Sequence, residues 1–364
     1  MKKSKKGGTN NIWQIRKWIP TDNLVWESIQ YNPRAMGYIK EKLQEKPSKK
    51  SKKYYINPYA LAANPNTEAI DLLEENNLLS DTSTFLFMEM ANNPNAIHIM
   101  KKYPDKIYWN GLYSNKNPEA IELIKEKYKN DIDNPSISWD KLSANPSAVS
   151  FIKQHPDKID WKELSKNPNP KAIEMLKNNK DKIDWSTLSA NPNDEAIEML
   201  KQNKNKIDVG WLLMNTNPKA IEMLEEIMKE KNISLIPTEW IVISGNPGAI
   251  DFLEKEYKRN PKKNNINWTE FSKNPAIFRE DTRKMRLTRK KLNAEIHAEV
   301  FKPKFIEDAL TETRDLDNSV DEKILENIYE YGRLARRIKT PSRSRSRTKS
   351  SSKSRTRSKS RTKS

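Results

Sequence analysis

Apolar residues recur along this chain in pairs and triplets at helical spacing, separated by polar turns rich in Asn, Lys and Pro. In Ala148, Val149, Phe151 and Ile152 the apolar positions fall on one helix face, as they do in Ala172, Ile173, Met175 and Leu176. Before each such run stands a shorter one, such as Trp161 with Leu164, also spaced for one face of a helix. The pattern predicts pairs of short helices, none long enough to bury its apolar side alone.

The pairs repeat. An Asn-Pro dipeptide occurs at Asn32, Asn64, Asn93, Asn117, Asn145, Asn167, Asn191, Asn217, Asn246 and Asn274, at intervals of 22 to 32 residues. Eight of these have an aromatic six positions earlier: Trp26, Phe87, Trp139, Trp161, Trp185, Trp211, Trp240 and Trp268. Trp109 stands eight before its pair, which reads as a two-residue insertion, and Pro58 fills the slot in the second copy. The unit is W-x-x-L-S-x-N-P, a variable gap, then A-I-x-x-L. Asn accepts a hydrogen bond from a free N–H at a helix start, and Pro suits the first helical position. Capping explains most of the recurring Asn, so Asp should serve in place of Asn167. Asp160, Asp184 and Asn267 are read as caps of the short helices, and Asp160 with Glu163 has capping-box spacing.

Stacked units bury one continuous core. The expected fold is all-α: an α-solenoid of about ten two-helix repeats with a helical C-terminal cap and disordered basic termini. The boundaries are a basic N-terminal arm over 1–17, the array over 18–278, a basic helical cap over 279–339 and a Ser/Arg/Lys-rich tail over 340–364. Trp161 and Trp185 are expected to be buried between consecutive units. The alternative reading of the Trp series is a stacking platform for bases.

The repeat resembles the short Trp- and Asn-Pro-containing helical repeats of proteins from giant nucleocytoplasmic DNA viruses of the mimivirus and phycodnavirus kind. The resemblance covers about residues 20–278 and rests on W-x-x-L-S-x-N-P-x-A-I-x-x-L. It implies a viral protein and brings no established chemistry with it. Leu292–Leu310 looks like a segment that closes such arrays, although Phe301-Lys302-Pro303 departs from the Trp-His-Pro type of sequence expected there.

Charge then changes the picture of function. The net charge is +18, and the first 17 and last 25 residues hold +16 of it. A one-sign run at a terminus with no apolar residue cannot build a core. In the tail, Ser/Thr alternates with Arg343, Arg345, Arg347, Lys349, Lys353, Arg355, Arg357, Lys359, Arg361 and Lys363. These ten are the candidate nucleic-acid contacts, since flexible positive charge favours polyanions through counterion release and phosphate contacts do not read bases. The tail is similar to the arginine-serine segments of splicing factors, and its hydroxyls are candidate phosphorylation sites. A purely nuclear-targeting or solubilising role is the competing reading. Lys46–Lys53 reads as a basic loop insertion. Arg283, Lys284, Arg286, Arg289, Lys290 and Lys291 lie on a predicted basic helix, either a cap for the array or a phosphate-binding face.

Enzyme chemistry finds little support. There is no cysteine, eight glycines make no phosphate loop, and His98, His155 and His297 have no metal-ligand spacing. Glu122, Glu174, Glu198 and Glu222 recur at one slot, as a solvated face does. His155 reads as a surface loop residue. Gly245–Gly248 matches a G-x-x-G loop but occupies the ordinary Asn-Pro slot. No apolar run is long enough to span a bilayer and no signal peptide is read. The expectation is therefore a non-enzymatic scaffold. Its array would bind an unknown protein and its tail DNA or RNA, with no cofactor, small-molecule substrate or membrane. It would be an intracellular virion or replication-factory component, in host cytoplasm, viral factory or nucleus. A packaging protein with the solenoid as spacer, or a host-directed adaptor with a nuclear targeting tail, are the alternatives.

Overall fold

The computed structural model describes residues 12–45, 54–79 and 84–300. The chain divides into two units, the first ending at Asp281 and the second beginning at Thr282. The insertion Lys46–Lys53, the expected cap beyond residue 300 and the tail lie outside the described residues.

The first unit is an all-α array of two-helix repeats. In a well-formed copy the short helix Trp161–Ser165 is capped by Asp160, whose carboxylate accepts the Glu163 N–H at 2.9 Å. The longer helix Pro170–Asn178 follows, and a 3-10 turn, Lys180–Lys182, leads to the next short helix, Trp185–Leu188. Asp184 and Asn267 cap as expected, and Asp208 caps a further short helix. The apolar faces read from the sequence are buried, among them Ala148, Val149, Phe151 and Ile152. Consecutive short helices pack directly on one another, as Trp139–Ala144 does on Trp161–Ser165.

Two copies are in a different register from the one the Asn-Pro pairs suggest. The asparagines equivalent to Asn167 are Asn115 and Asn215, each two residues before the Asn of the Asn-Pro pair. Asn117 and Asn217 are instead caps of Pro118–Tyr128 and Pro218–Lys231. Trp109 thus sits six before Asn115 with no insertion, and Val209, not Trp211, fills the aromatic slot of its repeat. The two-residue variation lies between the slot asparagine and the longer helix.

The array closes on itself. A strand, β1 (Trp13–Ile15), pairs antiparallel with β2 (Phe278–Glu280), with Ile15 opposite Phe278 and Trp13 opposite Glu280. Helix Trp26–Ile29 of the first repeat packs on Trp268–Lys273 of the last. Arg16 reinforces the seam through its backbone N–H to the Ile277 carbonyl at 2.9 Å and its Nε to the Ala276 carbonyl at 2.8 Å. The Arg34 guanidinium lies over the Trp13 ring at 4.5 Å. An open solenoid must shield its terminal apolar faces with capping elements; here the two terminal repeats shield each other. The arm expected over 1–17 contains a strand of the closure.

Trp161 and Trp185 are half-buried rather than buried; among the tryptophans only Trp240 falls below a tenth exposed, at 8%. The outer faces of Trp161 and Trp185 are covered by Lys182 and Lys206, whose ammonium groups stand 4.6 and 4.4 Å from the ring centroids. Each covering lysine comes from the turn of the following repeat. A Lys stem lying along an indole hides apolar surface while its charge stays wet, so these faces are already occupied. That removes the open ring faces a base-stacking platform needs.

Candidate functional site

The slot asparagines form a buried ladder. Asn64 Nδ2 donates to the carbonyls of Gln30 and Asn32, at 2.7 and 3.1 Å, and Asn93 Nδ2 to those of Ala62 and Asn64, at 2.7 and 2.8 Å. The same link recurs at Asn115, Asn145, Asn191, Asn215, Asn246 and Asn274. Asn167 reaches the Ser143 carbonyl at 2.8 Å. Asn32 completes the cycle by donating to Ser272 and Asn274. Each slot asparagine also accepts, on Oδ1, the N–H two residues on, as from Asn169 to Asn167 at 3.0 Å. Capping is thus one of its bonds; the amide protons serve the preceding repeat. An amide is needed because only it offers acceptor and two donors on one small side chain. The expected tolerance of Asp at Asn167 is overturned, since a carboxylate has no proton to give to Ser143.

Two further rows run beside this ladder. Two residues on, Asn66, Asn95, Asn117, Asn169, Asn193 and Asn217 each donate Nδ2 to a carbonyl of the preceding repeat. On the other side, the Ser of the W-x-x-L-S motif accepts the N–H just before the next slot: Ser143 from Asp160, Ser165 from Asp184, Ser189 from Asp208 and Ser244 from Asn267. Ser272 closes this row by accepting from Val25 at 2.9 Å. This leaves the Asp160–Glu163 pair as half a capping box, because the Asp160 N–H is taken by Ser143.

These rows are structural. The chemistry that faces solvent lies in the second unit, on the helix Thr282–Val300. Arg283, Lys284, Arg286, Arg289, Lys290 and Lys291 are all exposed on it. At 100° per residue they cover one broad side, while Met285 and Leu292 fall opposite. Lys291 approaches Glu295 at 3.8 Å, one turn on, and Leu287 and Leu292 are exposed at 61% and 52%. The ten tail residues Arg343, Arg345, Arg347, Lys349, Lys353, Arg355, Arg357, Lys359, Arg361 and Lys363 lie outside the described residues, so the structure does not place them beside this helix.

The remaining candidates resolve as structure. Glu122, Glu174, Glu198 and Glu222 are exposed, and Glu122 and Glu198 pair with Lys125 and Lys201, each at 2.8 Å. His155 is half-buried against Trp139 and Phe151, with ring centroids 5.3 and 5.2 Å away, rather than a free loop residue. Gly248 is required by close approach: a Cβ there would stand 2.6 Å from the Thr216 carbonyl oxygen. Tyr113 and Tyr128 share a buried hydroxyl contact at 3.0 Å, and Tyr113 also donates to the Ser136 carbonyl at 2.9 Å. Burial, and then the Tyr128 hydroxyl, push the Tyr113 phenol above its ordinary value. Among the described residues no group of three or more His, Asp or Glu could hold a metal ion. Among them also, no helix is long and apolar enough to cross a membrane.

Set against protein-family models, curated proteins and solved structures, the chain matches none.

Proposed function

We propose that this chain is a non-enzymatic repeat scaffold whose closed array binds protein partners, while its basic carboxy-terminal part holds DNA or RNA without reading sequence. The observation that carries the reading is the exposed basic side of Thr282–Val300, which belongs to a unit separate from the array. Six clustered cations on a helix attract phosphates by counterion release and long-range field, and phosphate contacts carry no sequence information. The tail from Arg343 to Lys363 adds ten more cations on the same side of the sequence. Together they make a two-part polyanion anchor. The resemblance of the repeat to those of giant DNA viruses supports reading such an anchor as part of a virion or replication factory, where it would tether a protein to genome or transcript.

The test is a salt titration of binding to labelled DNA and RNA for three proteins. These are the full chain, the chain ended after residue 339, and a variant with Arg283, Lys284, Arg286, Arg289, Lys290 and Lys291 all changed to Gln. Each phosphate released from contact lowers the slope of log K against log salt by about 0.9 for duplex DNA. Both variants should bind less steeply, with equal losses on unrelated sequences. A full chain whose binding is weak and indifferent to salt sinks the anchor. Slopes lost only on truncation reassign the helix to packing.

A further inference from the structure

Eight of the ten repeats place an aromatic ring in the slot six before the ladder asparagine, and in two of them it stacks directly on a Phe of the helix that follows the asparagine. Trp139 stacks on Phe151 and Trp240 on Phe252, with centroids 5.5 and 5.9 Å apart. In the repeat of Asn215 the slot holds Val209. Beside it lies a cavity of about 270 Å³ whose apolar wall is Ile207, Val209, Met223 and Ile227. Met223 stands six after the cap Asn217, as Met199 stands six after Asn193 in the preceding repeat, where Trp185 fills the slot. The cavity is therefore where the other repeats keep an indole.

The lid is missing as well. Lys182 and Lys206, each three residues before the next slot, lie over Trp161 and Trp185. The slot after Val209 is Trp240, and three before it stands Pro237, which has no cation to bring over. The rim of the cavity carries Glu226 and Glu230 against Lys204 and Lys231, all exposed, so it imposes no net charge and the apolar wall decides what enters.

We propose that the cavity at Val209 is a binding site for a flat aromatic group of indole size, which enters where the chain's own ring is lacking. An apolar cavity of roughly 150 Å³ is enough to take benzene, and a larger one has room for a bicycle. The volume is below that of ordinary drug-sized pockets, which limits the guest to a single ring system. The ring reaches the site either as a free indole compound or as the Trp side chain of a partner polypeptide.

Indole and the blocked peptide acetyl-Ala-Trp-Ala-amide are titrated into the full chain carrying labelled Met and Ile methyl groups. Indole should bind saturably at roughly 0.1–1 mM and shift the Met223, Ile227 and Ile207 methyl signals ahead of all others. Peptide binding at the same signals marks a polypeptide source; indole binding without it marks a free compound. Val209→Trp should fill the site from within and weaken indole binding at least tenfold. If that variant does not fold, Ile227→Trp fills the site from the opposite wall. Unsaturable indole binding, shifts scattered over the chain, or undiminished affinity in the filled variant each overturn the assignment.

Discussion

The side-chain amide of Asn32 donates to the backbone carbonyl of Asn274 at 2.7 Å, across 242 positions of sequence. It is the same bond that Asn64 makes to Asn32 one repeat on. The junction between the ends of the array is thus chemically equivalent to its internal junctions. Ile12 and Asp281 meet there too, through an N–H to carbonyl bond at 2.6 Å.

A circular permutant follows from this closure. Joining residue 281 to residue 12 by a short linker, with new ends inside Lys46–Lys53, should give a folded array that melts within a few degrees of the parent. Insertions and new termini are tolerated where few backbone bonds are cut. Circular dichroism and a melting curve decide it. A permutant that is unfolded would mean that the ends do not meet in solution.

Asn191 bonds the carbonyls of Ser165 and Asn167 and accepts from Asn193, all while buried. Asn191→Ala should cost about 2–4 kcal/mol, from lost bonds and unpaired carbonyls. Asn191→Asp should cost more, because a buried carboxylate would face two carbonyl oxygens with no proton to offer. Urea unfolding measures both. A milder effect from Asp than from Ala would show that capping, and not the ladder, is the asparagine's main work.

Trp161→Ala should cost about 2–3 kcal/mol, less than for a fully buried indole, since the ring is half-buried beneath Lys182. A double-mutant cycle with Lys182→Ala should return about 0.5–1 kcal/mol of coupling. Nucleic-acid affinity should not change. Lost affinity at unchanged stability would restore the base-stacking reading.

Gly248→Ala should destabilise strongly, because the new Cβ meets backbone at Thr216 and backbone cannot rotate away. Gly210→Ala, where the nearest atom is an Asp208 side-chain oxygen at 3.3 Å, should be nearly neutral. Equal melting of the two variants would refute the close approach.

Stability should fall in alkali. The buried Tyr113 phenol titrates above the ordinary value of 10.0 in the folded protein, so above about pH 10 the unfolded chain ionises first. The contribution is fully present below that pH and is lost as pH rises. Tyr113→Phe should flatten this part of the profile, read from urea midpoints between pH 8 and 11. A profile unchanged by the substitution would place the alkaline loss elsewhere.

The helix pairs, their caps and their buried faces were legible because each is local: the Asp160 carboxylate accepts from Glu163 and the Asn167 Oδ1 from Asn169, within three residues. The Asn-Pro pair gives the wrong register where Asn-Lys-Asn-Pro and Asn-Thr-Asn-Pro put the proline after the second asparagine. A signal for the correct register was present, since Lys206-Ile207-Asp208 repeats the Lys182-Ile183-Asp184 that precedes Trp185. That signal would also have placed Val209 in the slot and Trp211 outside it. The serine row was visible as a recurring residue without a stated partner, because the partner N–H lies in the next repeat.

The repeat is written in local residues: which of them pair into helices, which cap those helices and which face inward all follow from 3.6-residue periodicity and backbone hydrogen bonding. Closure has no such local signature. Whether ten units end apart or meet depends on the small rotation between neighbours summed over the array, and no residue encodes a sum. The pairing of Ile15 with Phe278 exists because that sum brings the two ends together. The cavity at Val209 likewise needs the surrounding fold, since a missing ring leaves space only where neighbouring helices hold its walls apart.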